Sequence, residues 1–482
     1  MKNHQSVITR ADPQLDASRT SRGTPKGRNS PQRRIILCDF YWTRDKDPRV
    51  PLGHASLLAA LLAAGVAEVR TVVAPVNLSP LAADDIVTTI LNHTEGFHAN
   101  DVDVAIGVYV WAEDLIQKVI RCLRLRGFAG RIILGGPQIS YTGAGVELLY
   151  PSADVFVRGY AEQALVKLAH TSERVAIVGV HYAGSIDRVE QAAVELASLA
   201  SPFLDGVIPL QGQRFVRWET QRGCPFRCAF CQHREAGARL VRSSLEKQRI
   251  FREIELFCDA DVDDIAVLDP VFNAGPLAIA VLKRFAERNF RGRLSLQCRA
   301  EMATHEFLEA AANLNVQLEF GLQTIHESEG AAIRRHNNVS KVDAALCEVR
   351  RRNLPHEMSL IYGLPQQTLA SFVQSVAWCL ARHVPVIKAF PLLLLRGTEL
   401  DRDRAFWGLV EDDGAMPMVI SSNTFSHTEW LEMARIAEAL ILTEGRHPKN
   451  SSDLLRLTEG LEHREDRWRP IVSEPLMTGR QA

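Results

Sequence analysis

Short apolar runs alternate with amphipathic stretches from Arg33 almost to Glu399. This alternation is compatible with only a few classes of fold. Apolar runs of four to eight residues suit strands that are covered on both faces. Helices between such strands produce parallel sheets. The sequence therefore predicts an α/β protein with two series of strands, and a stretch without this regular alternation separates them.

The first series predicts a doubly wound, Rossmann-like domain over residues 33–172. Its helix PLGHASLLAALLAAG is expected to end at Gly65, because glycine suits the residue after a helix. Residues 1–32 have almost no apolar clustering and are expected to be disordered. Residues 173–213 are predicted to be a linker with some local structure. The predicted strands lie in RRIILCDF, EVRTVVAP, VDVAIGVYVW, RIILGGPQIS and ADVFVRGY.

The second series predicts a partial (β/α)6 barrel over residues 214–400, open on one side. In such barrels the chemistry lies at the carboxyl ends of the strands. Residues 401–482 are predicted to form a helical region, with the helix TEWLEMARIAEALILTEG, and a polar tail. The six predicted strands lie in FVRWET, DIAVLDP, RLSLQCRA, LNVQLEFGLQ, HEMSLIYGL and VPVIKAFPLLLL.

Charge and hydropathy narrow the class of protein. The formal net charge of −1 produces no overall positive potential that would attract nucleic acid or an anionic membrane. Neither is therefore expected as a partner. No apolar run reaches the length of a membrane span, and the first residues lack the apolar stretch of a secretory signal. We therefore expect a cytoplasmic protein. Nine cysteines in a long intracellular chain do not indicate a disulfide framework.

Three of the nine cysteines lie within eight residues, in the segment ETQRGCPFRCAFCQHRE after a predicted strand. Cys224, Cys228 and Cys231 follow the spacing C-x3-C-x2-C. Thiolates are soft ligands suited to iron–sulfur clusters, and three of them leave one iron of a 4Fe–4S cluster open. A zinc site normally needs four ligands in paired spacings, and His233 is too close to Cys231 for the usual layouts. The pattern therefore favours an iron–sulfur cluster over zinc or three chance core cysteines.

The cysteine segment, with Gly223 before it and Phe230 within it, resembles the signature of radical S-adenosylmethionine (SAM) enzymes. The resemblance extends over residues 215–440. It includes the ends of predicted strands at Arg217–Thr220, Asp269–Asn273, Glu319–Thr324 and Tyr362–Thr368. It implies that SAM binds the open iron, that an external donor such as flavodoxin or ferredoxin supplies the electron, and that an organic radical begins the reaction.

Polar residues at predicted strand ends are candidates for holding SAM or substrate. By the resemblance, Phe230 packs near the adenine and Arg334, expected in a helix, helps to bind SAM. Arg299, Glu301, Glu319 and Gln323 could bind SAM through charges or hydrogen bonds, or could instead form ion pairs between strands. Cys298, at a predicted strand end, is a candidate catalytic thiol, although buried cysteines usually act as small hydrophobes.

Gly135, Gly136 and Pro137 follow a predicted strand, and glycine there lets the backbone approach a nucleotide or a corrin tail. RIILGGPQIS followed by ADVFVRGYAE resembles the cobalamin-binding domain that precedes many radical SAM barrels. The Asp-x-His-x-x-Gly segment, whose histidine ligates cobalt in that family, is absent here. His54 is expected to be structural. The expected cofactors are therefore the 4Fe–4S cluster and SAM, and the sequence leaves the binding of cobalamin undecided.

The resemblance implies an enzyme that transfers a SAM-derived group to a small molecule in natural product biosynthesis. With cobalamin, the expected reaction is methylation. Without it, transfer of the 3-amino-3-carboxypropyl arm is the alternative, for example to arsenic(III) in arsinothricin biosynthesis. Radical rearrangement or oxidation, and a non-catalytic sensor of cobalamin or redox state, remain as further alternatives.

Overall fold

The computed structural model describes residues 33–44, 46–48, 50–233, 243–414 and 416–458. They fold as two compact units, the first within residues 33–194 and the second containing residues 46–48 and 195–458. Among the described helices, none is both long and apolar enough to cross a membrane.

The first unit contains a six-stranded sheet in the order β2-β1-β3-β4-β5-β6. All five predicted segments contain strands of this sheet, and β1 to β5 are parallel. The strands are β1 Arg34–Tyr41, β2 Val69–Pro75, β3 Val102–Gly107, β4 Arg131–Gly135, β5 Val155–Val157 and β6 Val180–Tyr182. The helices are α1 Leu52–Ala63, α2 Ala83–Asn92, α3 Glu113–Leu125, α4 Pro137–Ser140, α5 Val146–Leu149 and α6 Glu162–Ala169.

Both faces of this sheet are covered, as a doubly wound fold requires. Cys38 and Phe40 of β1 belong to one buried cluster, whereas Ile35 and Leu37 belong to another. The alternation follows from the two-residue period of a strand. Gly65, with a φ of 76°, follows α1 as expected.

Residues 173–194 belong to the first sheet rather than to a linker. The short strand β6 pairs antiparallel with β5, and Gly159 forms a bridge with Ala192. Arg158, which is 1% exposed, donates to both carboxylate oxygens of Asp187 at 2.7 and 2.8 Å. The first unit therefore ends at residue 194, about twenty residues beyond the predicted boundary.

The second unit contains six parallel strands in the order β14-β13-β12-β11-β10-β7. This is chain order, with β7 and β14 as edges, which matches a partial (β/α)6 barrel that is open on one side. The main strands are β7 Phe215–Trp218, β10 Asp264–Val267, β11 Arg293–Cys298, β12 Asn315–Gln323, β13 His356–Tyr362 and β14 Val386–Pro391. Two small antiparallel pairs are β8 Gln221–Arg222 with β9 Ser243–Ser244, and β15 Val410–Glu411 with β16 Val419–Ser421.

Helices follow these strands and cover one face of the sheet. Trp218 on β7 makes edge-on ring contacts with Phe257 and Phe285, on the first two helices of the unit, at 5.5 and 5.9 Å. The helices are α7 Lys247–Asp259, α8 Ala278–Glu287, α9 His305–Ala311, α10 Glu327–Ala332, α11 Val339–Arg351, α12 Leu369–Ala381, α13 Glu399–Arg402, α14 Arg404–Trp407, α15 His427–Leu442 and α16 Ser451–Thr458.

Candidate functional site

The three clustered cysteines lie in the loop that follows β7 and β8. Gly223, just before the first of them, has a φ of 84°, which glycine adopts without the strain of a side chain. Ala229, within the loop, donates to the carbonyl of Ile333 at 2.8 Å and accepts from the amide of Leu400 at 3.1 Å. The loop is therefore held on both sides by backbone hydrogen bonds.

The thiols lie in a poorly hydrated environment. Cys224 and Cys228 are buried, and Cys231 is partly exposed. Burial raises the pKa of Cys224, and it raises the pKa of Cys231 to about 12. The amide of His233 donates to Cys231 Sγ at 3.3 Å. Iron must therefore displace the protons of Cys224 and Cys231 when it binds.

This donor set fits a cubane cluster better than one metal ion. Among the described residues, no group of three or more His, Cys, Asp or Glu side chains is arranged to hold a single ion. A 4Fe–4S cluster binds each thiolate through a different iron, so its ligands need not converge on one point. Amide donors and nearby arginines also suit sulfur ligands that carry negative charge. The arrangement therefore fits the predicted cluster.

Asp269 anchors the start of the cysteine loop. Its Oδ1 accepts from the amides of Thr220 and Gln221 at 2.7 and 3.2 Å, and its Oδ2 accepts from the Thr220 hydroxyl. The carboxyl group is 1% exposed, and burial raises its pKa to about 7. Gln221 donates to the carbonyl of Val271 at 3.1 Å, which joins the same two strand ends again.

Arg299 lies beside the loop, as expected of a strand-end residue. Asn273 fixes its backbone through two hydrogen bonds, of 2.8 and 3.0 Å. Its guanidinium carbon lies 3.9 Å from the centroid of the Phe226 ring, and its Nη2 lies 3.4 Å from Glu301 Oε1. Glu301 thus forms an ion pair with Arg299. Phe230 is partly buried within the cysteine loop itself.

Gln323 and Glu319 occupy different parts of β12. Gln323 has a φ of 68° at a register shift, and its buried Oε1 has no hydrogen-bond partner in the described part of the chain. A Cβ on Gly321 would lie 3.1 Å from the Gln323 amide nitrogen, so this amide lies over the glycine. Glu319 is four residues before the end of the strand, and its register partners are Gln297 and Glu357. Their side chains point away from the helix-covered face.

Cys298 is poorly placed for catalysis. Cys298 pairs with Phe320 in the register of the sheet and lies on the same face as Leu296. Leu296 is aligned with Val267, and Val267 is aligned with Trp218, which lies on the helix-covered face. The thiol is 4% exposed, and burial raises its pKa. The prediction of a catalytic thiol is therefore not supported, and Cys298 acts as a small core residue.

Arg335, which the sequence analysis did not single out, contacts the cysteine loop in place of Arg334. Arg334 lies just after α10 rather than within a helix, has a φ of 50°, and pairs with Glu399 at 2.6 Å while its side chain remains 58% exposed. The Nη1 of Arg335 lies 3.7 Å from Cys228 Sγ. The backbone of Arg335 packs closely on Gly330, where a Cβ would lie 2.8 Å from the Arg335 carbonyl oxygen.

In the first unit, the Gly135-Gly136-Pro137 turn packs against its own chain. A Cβ on Gly136 would lie 2.8 Å from the carbonyl oxygen of Val108, and the φ of Gly136 is 89°. Val108 also exchanges backbone hydrogen bonds with Gly135 and Gln138. The close approach of Val108, just after β3, therefore accounts for glycine at position 136.

Asp39 lies at a position of the first unit where a ligand could bind. It lies near the carboxyl end of β1, aligned with Gly107 on β3, and chain connections diverge between these two strands. Ligands of open α/β sheets bind at such switch points. Its side chain is 4% exposed, Oδ1 has no partner among the described residues, and burial raises its pKa to about 7.

Aromatic rings lie at the same edge. Tyr109 and Trp111, just after β3, stack with 4.8 Å between their ring centroids. His54 is 3% exposed in the first turn of α1, and burial lowers its pKa to about 4. The edge therefore combines stacked aromatic rings with buried polar side chains.

Comparisons with known proteins agree with this arrangement. The family "Radical SAM superfamily" matches residues 218–379. A 2-(S-pantetheinyl)-carbapenam-3-carboxylate methyltransferase of Streptantibioticus cattleyicolor is 25% identical over 74% of this chain and 59% of its own length. The cobalamin-dependent radical SAM methyltransferase TokK of Streptomyces tokunonensis is 25% identical over 78% of this chain and 62% of its own. The chain thus spans about three fifths of these relatives.

Two solved structures share the fold. TsrM of Kitasatospora setae, solved with cobalamin and a [4Fe-4S] cluster, has a TM-score of 0.62 at 18% identity, covering 83% of this chain and 81% of its own. OxsB, solved with aqua-cobalamin and SAM, has a TM-score of 0.65 at 13% identity, covering 89% and 71%. The cysteine loop and the six-stranded parallel sheet agree with the family match, which makes residues 218–379 similar to the radical SAM superfamily.

Proposed function

We propose that this protein is a cobalamin-dependent radical SAM methyltransferase that acts on a small molecule of natural product biosynthesis. The main support is the loop of Cys224, Cys228 and Cys231, in a chain whose similarity to two methyltransferases extends over about three quarters of its length. The buried Asp39 carboxyl group, whose Oδ1 has no hydrogen-bond partner among the described residues, supports a second cofactor in the first unit. Because reduced thiols are needed, we place the reaction in the cytoplasm.

The residues divide the work as follows. The three cysteines hold iron, while Asp269 and Thr220 fix the start of their loop. We assign the binding of SAM to Phe230, Arg299 and Gln323, since the last carries an unpartnered amide oxygen. Two ion pairs support the residues that we assign to SAM binding. They join Arg334 to Glu399 and Arg299 to Glu301.

When bound, a 4Fe–4S cluster supplies the electron that cleaves SAM, and a corrin supplies methyl-transfer chemistry. The electron comes from an external donor of the flavodoxin or ferredoxin type. Glu319 and its partners Gln297 and Glu357 lie on the face of the sheet away from the helices, and we assign the small-molecule substrate to this face.

The test is anaerobic incubation of the iron- and cobalamin-loaded protein with SAM and a reductant, followed by mass spectrometry. Methylation consumes one SAM as methyl donor and cleaves another, so S-adenosylhomocysteine and 5′-deoxyadenosine are both expected. Cys228→Ala should abolish cleavage and lower the iron content, while Cys347→Ala, at an exposed helix position, should change neither.

One outcome would select the alternative reaction. Methylthioadenosine formed in step with a new product, without corrin, would indicate transfer of the 3-amino-3-carboxypropyl arm. The observation in its favour is that the sequence lacks the Asp-x-His-x-x-Gly segment whose histidine ligates cobalt in the cobalamin-binding family. Full SAM cleavage by Cys228→Ala would contradict radical SAM chemistry at this loop.

A further inference from the structure

The side chain of Arg335 joins the cysteine loop to β12. Nη1 lies 3.7 Å from Cys228 Sγ, and Nη2 donates to the carbonyl of Gly321. Arg335 is 7% exposed, and its buried Nε has no hydrogen-bond partner in the described ranges. A guanidinium in this position has paid the cost of desolvation, so a nearby negative group is required to offset it.

A tight backbone turn after α10 brings Arg335 to this position. Arg335 donates its amide to the carbonyl of Gly330 at 2.8 Å, and the positive φ of Arg334 reverses the backbone between them. The adjacent arginines therefore point to different surroundings. One pairs with Glu399 and remains largely exposed, while the other is buried against a cysteine.

The described charges around Arg335 do not include a carboxylate partner for it. Its guanidinium contacts the Cys228 sulfur atom and the Gly321 carbonyl oxygen. The second buried guanidinium, Arg299, is close enough that burial and the charge of Arg335 both lower its pKa. Arg299 has Glu301, whereas the groups that face Arg335 are the cysteines, which become negative thiolates when they bind iron.

We propose that Arg335 is a positioning residue that holds the Cys228 thiolate and raises the reduction potential of the cluster. The inference rests on the proposed function, because it requires that cluster. Reduction adds one electron, supplied by the external donor, to a group already bound by thiolates. A fixed positive charge at the sulfur favours the reduced form, and low polarity strengthens the effect.

The experiment is a redox titration of the full-length reconstituted protein, without SAM, monitored by electron paramagnetic resonance. Arg335→Gln should retain iron but need a potential at least about 59 mV more negative, which corresponds to tenfold less reduced cluster at a given potential. Arg335→Lys keeps the charge but cannot reach both the sulfur and the Gly321 carbonyl, so its potential should lie in between. Arg351→Gln, with its side chain on the outer helix α11, should match wild type.

Unchanged potentials in the iron-loaded Gln and Lys variants would overturn the inference. If the Gln variant does not retain iron, the neutral Arg335→Met variant takes its place, because an unchanged potential there contradicts the proposal equally. These results are distinct from failure of the proposed function. In that case the wild-type protein would itself show no reducible cluster.

Discussion

Replacing Asp269 by alanine should loosen the cysteine loop and destabilise the second unit. The change removes the acceptor of three hydrogen bonds and leaves the amides of Thr220 and Gln221 buried without partners. An unsatisfied buried donor costs about 1–3 kcal/mol, so the two amides together cost about 2–6 kcal/mol. This is a large part of the stability of an ordinary domain, which is about 5–15 kcal/mol.

The free energy of unfolding from urea titration, and the iron bound per chain after reconstitution, measure the two effects. Asp269→Asn keeps one carbonyl acceptor and should lose less stability than the alanine variant. Asp263→Ala removes an exposed partner of Arg214 and should cost no more than about 1 kcal/mol. An alanine variant of Asp269 that unfolds like the Asp263 control and binds full iron would refute the assigned role.

Three further outcomes follow from buried groups. Cys298→Ala should keep SAM cleavage within about twofold and lose roughly 1 kcal/mol of stability, whereas loss of cleavage in folded protein would restore the catalytic assignment. Gly136→Ala should destabilise the first unit by more than Gly127→Ala, because both have positive φ but only Gly136 has backbone in the way; equal thermal shifts would contradict this. Burial raises the pKa of Asp39 from 3.8 to about 7, so native protein keeps a proton that the unfolded chain releases, and stability should fall as pH rises from about 4 to 7. Asp39→Asn should flatten that fall by up to about 4 kcal/mol in urea titrations, and parallel pH profiles would count against it.

The sequence was sufficient to locate the main strands, because continuous apolar runs between helices have few alternatives to parallel sheets. It also contained the signal that Cys298 is a core residue. In Arg293–Cys298, the cysteine has the same parity as Leu294 and Leu296, which are both buried. A period of two was enough to predict its face.

Other features could not be read from the sequence. Arg334 and Arg335 differ in position because the backbone reverses at a residue that is neither glycine nor asparagine. The strand β6 has three residues, too few for a periodic pattern, and its pairing with β5 depends on tertiary contacts. The orphaned oxygens of Asp39 and Gln323 likewise appear only when burial and partners are known.

The ion pair of Arg158 and Asp187 has a consequence for dividing this protein into fragments. A fragment that ended at residue 172 would lack Asp187 and leave the guanidinium of Arg158 without its carboxylate. It would also lack β6 and expose β5 as an open edge, ready to pair with another molecule. Expression or domain-exchange work should therefore cut the chain after residue 194, because the earlier cut would produce an aggregation-prone edge.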